Sequence, residues 1–226
     1  MRILIDQLGG ATGEAADLKA LYRPPRLPWL RVNMVSTLDG AANGESGTSG
    51  SINNDADKRV FRALRAQADA VVVGAGTART ERYRVADVPL VVVSHRALVP
   101  EQLRDAPPGK VLLVTCSDSL GLDDCRSTLG HDQVIVAGEA QVDLVAMRSA
   151  LVERGLRNLL CEGGPHLLRD LLDAGVVDEL DLTWVPRVIG GVHPRILEGA
   201  AVDVPMRLGL LLEEDETLIG RWLVQR

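Results

Sequence analysis

The chain has 226 residues, 46% of them hydrophobic, and a formal net charge of −6, so it can bury a sizeable core and is unsuited to broad binding of nucleic acid or anionic membranes. No apolar stretch approaches the roughly 18 residues that span a bilayer, and the start, MRILIDQLGG, is too short and too acidic for a signal peptide. The three cysteines form no CxxC pair and the four histidines are scattered, which predicts a reducing, cytoplasmic setting and no metal site.

The first 28 residues are predicted to form a peripheral arm, with a short helix in GEAADLKALY and an extended stretch in RPPRLP that the prolines impose. A single domain then runs from residue 29 to 226. LRVNMVST predicts a strand, and a Gly/Ser/Asn-rich loop follows it. NNDADKRVFRALRAQ predicts a helix that Asn53 or Asn54 caps, with Asp57 near its positive end and Phe61 facing inward.

Short apolar runs then alternate with helical patterns. Continuous Val, Leu and Ile is typical of strands buried on both faces, and such runs recur in ADAVVVG, PLVVVS, KVLLVT, QVIVAG, RNLLCEG and DELDLTWV. VDLVAMRSALVERG and PHLLRDLLDAG predict helices that end at Gly155 and Gly175, and MRLGLLLEEDETLIGRWLV predicts a C-terminal hairpin. The fold class is therefore α/β, with one mostly parallel sheet, an antiparallel C-terminal edge and flanking helices.

The first motif that could bind a ligand is VVVGAGTART, in which Gly74, Gly76 and Thr77 follow a strand. It departs from a dinucleotide fingerprint because Arg79 stands at the third glycine position, and we predict no helix after it. Backbone N–H groups of such a turn can still approach phosphate or ribose oxygens. The alternative is a plain strand-to-loop turn.

The second motif is VVVSHRAL, in which a buried strand ends at Ser94, His95 and Arg96. Sites for NADP place hydroxyl and cationic side chains at such a strand end, because the 2′-phosphate requires donors and positive charge. A solvated loop is the alternative interpretation.

The third motif is LLCEGGPHLLRDLL, where a strand ends and a helix begins at Gly163, Gly164 and Pro165. The free N–H groups of His166, Leu167 and Leu168 at that helix start favour an anion. A tight turn is the alternative, although it requires only one glycine.

Two acids end predicted strands, Asp39 in STLDG and Glu162 in LLCEGG, at the edge where open α/β sheets bind ligands. Either could be a general acid, a substrate anchor or a turn residue.

Taken in order, STLDGAANGESG, FRALRAQADAVVVGAGTART, VVVSHRAL, LLCEGGPHLLRDLL and VVDELDLTWVPRVIGG resemble the reductase domain of the bifunctional riboflavin-biosynthesis deaminase/reductase family. The resemblance implies a dihydrofolate-reductase-like fold, a homodimer, and NADPH-dependent reduction of 5-amino-6-(5-phosphoribosylamino)uracil. The deaminase signatures HxE and PCxxC are absent, so we expect a stand-alone reductase. Two alternatives stay open: a dihydrofolate-reductase-like activity on a pterin, and a non-catalytic NADP- or pterin-binding module.

The residues and their resemblance to the family together predict three sets of site residues. Asp39 is the first candidate for the catalytic acid and Glu162 the second. The residues expected to bind substrate are Ser49, Arg65 and Glu162. Those expected to bind the cofactor are Val35, Ser36, Gly74, Gly76, Thr77, Ser94, Arg96, Gly163, Gly164, Pro165, His166 and Leu167.

Two stretches depart from the family pattern. GSIN places Ser51 where the family often has a tryptophan. TERYRVADVP stands where the family has Asp-Asp-Pro and a downstream arginine for the substrate phosphate, so Arg82 or Arg84 is expected to replace that arginine.

Overall fold

The computed structural model describes residues 1–15 and 17–225, and in these residues eleven strands form one sheet flanked by six α-helices. The strands are β1 (Arg2–Asp6), β2 (Gly13–Glu14), β3 (Trp29–Thr37), β4 (Ala70–Gly74), β5 (Leu90–Val93), β6 (Val111–Thr115), β7 (Val134–Val136), β8 (Asn158–Cys161), β9 (Glu179–Val185), β10 (Met206–Glu214) and β11 (Thr217–Val224). The helices are α1 (Leu18–Leu21), α2 (Asp55–Arg65), α3 (Ala75–Thr80), α4 (Leu122–Leu129), α5 (Leu144–Glu153) and α6 (Pro165–Asp173).

The strand order is β2-β1-β10-β11-β9-β3-β8-β4-β5-β6-β7. Strands β9, β3, β8, β4, β5, β6 and β7 pair in parallel, while β11, β10, β1 and β2 extend the sheet antiparallel. The predicted α/β class, with its mostly parallel sheet and antiparallel C-terminal hairpin, is therefore confirmed.

Strands β4 and β5 carry almost only apolar side chains because helices cover both faces of this part of the sheet. In β4, Ala70 and Val72 pack into the cluster that α5 and α6 complete, whereas Val71 and Val73 pack into the cluster that α2, α3 and α4 complete. Each of these four side chains is at most 3% exposed. Successive residues of a strand point to opposite faces, so both sets of β4 side chains are buried and an apolar run without alternation results.

Three segments differ from the sequence predictions. A short helix, α3, does follow the glycine turn after β4, and the prediction that no helix follows is wrong. Its Ala75 and Ala78 are buried, and this packing outweighs the low helix propensity of Gly76. The helix α4 was not predicted. The predicted peripheral arm is in part a component of the sheet, because β1 pairs with β10 and Tyr22 is fully buried.

A buried charged cluster lies beneath this N-terminal segment, between β3, β9 and β11. Arg221 donates to Glu179 Oε2 at 2.7 Å and to the Leu21 carbonyl at 2.7 Å, and Arg31 Nη1 lies 3.6 Å from Glu179 Oε1. All three charged side chains are at most 2% exposed. Burial, and next the charge of Glu179, raise the pKa of the neighbouring Asp181 well above its usual range.

Within the described residues, no helix is long and apolar enough to cross a membrane. Those residues also hold no group of three or more His, Cys, Asp or Glu side chains placed to bind a metal ion. The three cysteines are unpaired and buried; burial raises the pKa of Cys125 to about 11 and that of Cys161 to about 12. Both thiols therefore stay neutral at physiological pH and are poor nucleophiles.

Candidate active site

The carboxyl ends of four neighbouring strands, β3, β8, β4 and β5, open onto two adjoining cavities. The first has a volume of about 870 Å³ and the second about 850 Å³. Both cavities are lined by a shared wall, which consists of Gly76, Thr77, Gly164, Pro165 and His166. Two ligands bound side by side would therefore meet across the glycine turns that follow β4 and β8.

The first cavity contains a bidentate ion pair between α2 and the end of β8. Arg65 donates from Nε to Glu162 Oε1 at 2.6 Å and from Nη2 to Glu162 Oε2 at 2.7 Å. Tyr83 Oη donates to the same Oε2 at 2.6 Å. These contacts fix the carboxylate in one orientation, and Oε1, with one of its two lone pairs used, can accept one more donor.

The surroundings keep this cluster in a defined charge state. The Glu162 hydrogen bond raises the pKa of Arg65, and burial together with the Glu162 charge raises the pKa of Tyr83 well above its usual value. The Arg65 guanidinium also lies 4.5 Å from the centre of the Phe61 ring. Arg65 is therefore a cation and Tyr83 a neutral donor at physiological pH, while Phe61, predicted to face the core, instead lines the cavity.

The outer wall of the first cavity comes from the loop after β3 and from the segment after α3. The two are joined where the Ser49 backbone N–H donates to Glu81 Oε1 at 2.7 Å. Lys58, Arg82 and Arg84 also line this cavity. Arg82 and Arg84, one of which is expected from the sequence to replace the family's phosphate-binding arginine, thus lie at its exposed margin, where they add positive charge.

The shared wall explains why two consecutive glycines end β8. Gly74 N–H donates to the Gly163 carbonyl at 2.8 Å, and Gly163 has φ +85° with Met34 packed against it. A Cβ on Gly164 would lie 2.2 Å from Thr77 Oγ1. Gly163 is thus required by its backbone conformation and Gly164 by the close approach of the turn after β4.

Gly164→Ala is expected to destabilise the protein by about 1–3 kcal/mol, because the added methyl must displace Thr77 from the shared wall. Thr77→Ala removes the clashing Oγ1, so the double variant Gly164→Ala/Thr77→Ala should recover part of the loss. Thr77→Val retains an atom at that place and should give no recovery. Thermal unfolding of the single and double variants measures the coupling, and purely additive losses would contradict the contact.

The second cavity has the character of an anion site. It is lined by Ser94, His95 and Arg96 after β5 and by Arg79 of α3. Neither Arg79 nor Arg96 has an ion pair in the described part of the chain. The acids of this cavity are already engaged: Asp143 caps α5, and Asp170 and Asp173 pair with Arg169. The unpaired arginines are therefore available to a ligand phosphate.

The start of α6 also faces this cavity. Gly164 is its N-cap and has no side chain to satisfy the first N–H groups, and Pro165 follows at the first helical position. His166 and Leu167 both line the second cavity, and their N–H groups therefore stand at the uncapped positive end of α6. The Leu168 N–H, also predicted to be free, instead donates to the Gly164 carbonyl at 2.9 Å as the first hydrogen bond of the helix.

The structure brings most of the predicted site residues together. The first cavity is lined by Ser49, Arg65, Glu162 and Val35. Two residues predicted to bind the cofactor, Gly163 and Ser36, line neither cavity. Ser36 is buried, and its hydroxyl donates to the Thr37 carbonyl. The predicted cofactor residues that line the second cavity are Gly74, Gly76, Thr77, Ser94, Arg96, Gly164, Pro165, His166 and Leu167.

Asp39 does not have the position or the protonation that a catalytic acid requires. It lines neither cavity. Its carboxylate accepts hydrogen bonds from Thr37 Oγ1 at 2.5 Å and from the N–H groups of Ile189 and Gly190 at 3.1 and 2.7 Å. The Thr37 hydrogen bond is the main reason why the pKa of Asp39 falls to about 2. The prediction of Asp39 as the general acid is therefore corrected: it clamps two loops together.

Sequence reasoning missed Asp57 and Tyr83 as residues of the first cavity. Asp57 was interpreted only as a favourable charge at the start of α2. A signal was present, because Asp57, Phe61 and Arg65 are spaced four residues apart and so lie on one face of the helix. Tyr83 lies in the stretch that departs from the family pattern and offered no such signal.

Comparison with known proteins identifies the family. Residues 28–219 match the model of the RibD C-terminal domain. The 2,5-diamino-6-ribosylamino-4(3H)-pyrimidinone 5′-phosphate reductase of Archaeoglobus fulgidus is 32% identical over 190 residues, which cover 76% of this chain and 87% of the relative. The reductase of the same name from Methanothermobacter thermautotrophicus is 29% identical over 187 residues, covering 78% and 86%.

Among solved structures, a pyrimidine reductase-like protein from Corynebacterium diphtheriae is similar with a TM-score of 0.77 and 27% identity, covering 88% of this chain and 92% of that one. The α/β fold expected from the sequence is confirmed, and it is shared with this pyrimidine reductase-like protein. The residues matched by the family model include every residue of both cavity walls described above, and the chain belongs to the RibD C-terminal domain family.

Proposed function

We propose that this chain is an NADPH-dependent reductase of riboflavin biosynthesis, which reduces the ribosylamino side chain of a pyrimidine 5′-phosphate to the ribityl side chain. The observation that carries the proposal is the pair of adjoining cavities that share Gly76, Thr77 and Gly164. One suits a phosphorylated dinucleotide, and the other suits a polar ring with a phosphate. The two archaeal relatives, both named as reductases of such a pyrimidine, support the same conclusion.

The second cavity fits NADPH in its donor set. Ser94 and Arg96 would hold the 2′-phosphate, and the uncapped N–H groups at the start of α6 would hold the pyrophosphate. Gly76 has open space around the position of a Cβ, which lets a ligand approach its backbone closely. When bound, NADPH supplies the hydride, and the shared wall aligns it with the first cavity.

In the first cavity, Glu162 would act on the nitrogen that links the ring to the sugar. The sugar would open when the bond between C1′ and the ring oxygen breaks: that oxygen takes a proton from solvent, and the linking nitrogen, which keeps its own N–H, becomes a protonated imine. Hydride addition at C1′ would then give the neutral amine. The fixed Glu162 carboxylate would accept the N–H of this cation and stabilise it, with Arg65 and Tyr83 as positioning residues. Arg82, Arg84 and Lys58 provide the positive charge that a 5′-phosphate requires.

Arg96→Glu is expected to weaken NADPH binding about 10- to 100-fold and to leave NADH binding nearly unchanged, because only NADPH carries the 2′-phosphate. Arg207→Glu makes the same change of net charge at an exposed position on β10, and it should change the binding of neither NADPH nor NADH. Fluorescence titration of each variant with both cofactors measures this. An equal loss for NADPH and NADH in Arg96→Glu would show that the 2′-phosphate lies elsewhere.

We further propose that the active form is a cytoplasmic homodimer. The face of β9, β10 and β11 beside α5 and α6 remains half exposed at Trp184, Met206 and Trp222. Apolar side chains of this size favour contact with a second copy. Sedimentation velocity of the pure protein tests the assembly.

The function is tested by following NADPH oxidation with the ribosylaminopyrimidine phosphate, with dihydrofolate and with no acceptor. Oxidation that depends on the pyrimidine is expected. Oxidation with dihydrofolate alone would indicate a pterin reductase, and tight NADPH binding without oxidation by any acceptor would indicate a binding module.

A further inference from the structure

One ionisable side chain stands where the two cavities meet and has no part in the reaction described so far. His166 is exposed and lines both cavities. It follows Pro165 in the shared wall, at the start of α6. From the sequence, only its backbone N–H was expected to bind a ligand. Its imidazole borders the place where a cofactor in one cavity and a sugar in the other would meet.

The imidazole is held in one tautomer. His166 Nδ1 lies 3.1 Å from the carbonyl oxygen of Glu198. A carbonyl oxygen only accepts hydrogen bonds, so Nδ1 carries a hydrogen and donates it. The nitrogen that gains and loses a proton is therefore Nε2.

The carbonyl that anchors the imidazole is itself fixed to α6. The segment after β9 packs on the start of this helix, where the Glu198 N–H donates to the Pro165 carbonyl at 3.5 Å. Arg169 Nε donates to the Ala200 carbonyl at 3.1 Å. The ring is thus anchored through Nδ1, while its exposure lets Nε2 exchange protons with water.

The proposed reaction consumes one proton. As the bond between C1′ and the ring oxygen breaks, its electron pair stays on that oxygen, which takes a proton to become the 4′-hydroxyl. The lone pair of the linking nitrogen forms the C=N bond, and hydride addition at C1′ returns that pair to the nitrogen. An acid placed at the ring oxygen would speed the first step, because an unprotonated alkoxide is a poor leaving group.

The other ionisable side chains of the first cavity are poorly suited to supply this proton. Among the described residues they are Asp57, Lys58, Arg65, Glu81, Arg82, Tyr83, Arg84, Glu162 and Glu198. The raised pKa values of Arg65 and Tyr83 make them weaker acids still, and lysine and arginine side chains in general hold their protons too tightly. Glu81 and Glu198 each accept a backbone N–H. Asp57 is eight residues from Arg65 on α2, about 12 Å along the helix axis, so it lies away from the shared wall.

Resting on the proposed function, we propose that the imidazolium of His166 is the general acid that opens the sugar ring. Its Nε2–H bond breaks, the proton passes to the ring oxygen, and the neutral imidazole takes a proton from solvent before the next turnover. Glu162 stabilises the nitrogen side of C1′ while His166 acts on the oxygen side. The two residues thus serve the two bonds of C1′ that change when the ring opens.

His166→Gln is expected to lower kcat about 100-fold or more, because general acid catalysis contributes a factor of this size. The Kd for NADPH should stay nearly unchanged, since glutamine retains the backbone N–H. His131→Gln is the matched control: His131 is exposed and lines neither cavity, so kcat should be unaffected. Steady-state kinetics with the ribosylaminopyrimidine phosphate and a titration with NADPH measure both quantities.

Chemical rescue separates proton transfer from a structural role. In His166→Ala the side chain is removed from an exposed position, and added imidazole should restore part of kcat by taking its place. The same concentration of imidazole should not restore Glu162→Gln, which retains His166.

Full activity of His166→Gln would overturn the proposal, and so would a loss in His166→Ala that imidazole does not reverse. A wild-type protein that binds NADPH but does not oxidise it with the pyrimidine would instead overturn the proposed function itself.

Discussion

Glu162→Gln is expected to lower kcat/KM for the pyrimidine substrate about 100-fold or more while leaving the Kd for NADPH nearly unchanged. The amide has no charge with which to stabilise the protonated imine. It also accepts at only one of the two atoms that Arg65 now contacts, so the side chain loses the fixed orientation given by hydrogen bonds of 2.6 and 2.7 Å. The loss should fall mainly on kcat, because the positive charge on the imine is greatest as the hydride is transferred.

The measurement is steady-state kinetics together with a titration of NADPH. Asp39→Asn is the matched comparison, because Asp39 is also an acid that ends a strand but lines neither cavity. Its kcat is expected to stay within a few-fold of the wild type. A strong loss of kcat in Asp39→Asn, together with full activity in Glu162→Gln, would show that Asp39 and not Glu162 acts on the substrate.

Arg221→Met is expected to destabilise the protein by about 3–5 kcal/mol, which for a chain of this length corresponds to a fall in Tm of roughly 6–20 °C. Arg221 is 2% exposed and holds both Glu179 and the carbonyl of Leu21. Without it, the cations and N–H donors that the fully buried Glu179 keeps among the described residues are Arg31, at 3.6 Å, and the Trp29 indole N–H. The N-terminal segment also loses an attachment to β11.

Two further variants isolate the cause of that loss. Arg2→Met breaks an ion pair to Glu213 in which Arg2 is 63% exposed, and it should cost less than about 1 kcal/mol. Arg221→Met combined with Glu179→Gln removes the buried charge as well, so it should be more stable than Arg221→Met alone. Chemical denaturation gives the free energies of unfolding, and equal losses in Arg2→Met and Arg221→Met would show that burial of the pair has no special cost.

Much of the fold follows from patterns that are local in sequence. The continuous Val and Leu runs of β4, β5 and β6 require a strand covered on both faces, and Asn54, as one of two candidates, caps α2 by accepting the N–H of Asp57. The helix ends at Gly155 and Gly175 also follow directly, since both residues have positive φ. These features depend on backbone geometry and burial, which a single stretch of chain can indicate.

The parts that sequence reasoning missed depend on contacts between distant segments. The strand β1 is defined by its pairing with β10, over 200 residues away, and its own five residues carry little strand pattern. Asp39 was mistaken for a catalytic acid because its partners, Ile189 and Gly190, are about 150 residues distant. Asp57 was missed as a residue of the first cavity because only the packed structure shows that its face of α2 borders that cavity.

The two glycines after β8 also depend on contacts between distant segments, which the sequence alone does not show. The sequence suggested that a ligand requires both of them, whereas the structure gives each a reason within the protein. Gly163 has a positive φ, and Gly164 has no room for a side chain beside Thr77. The shared wall is nonetheless the surface that both cavities use, so close packing and ligand approach occur at one place.

The most direct test of this account is to supply NADPH carrying deuterium at the transferred position of C4 and to locate the label in the product by mass spectrometry and NMR. Transfer across the shared wall predicts one deuterium at C1′ of a ribityl side chain, with none in the pyrimidine ring. Deuterium in the ring, or pyrimidine-dependent NADPH oxidation that leaves C1′ unlabelled, would contradict the placement of cofactor and substrate in adjoining cavities.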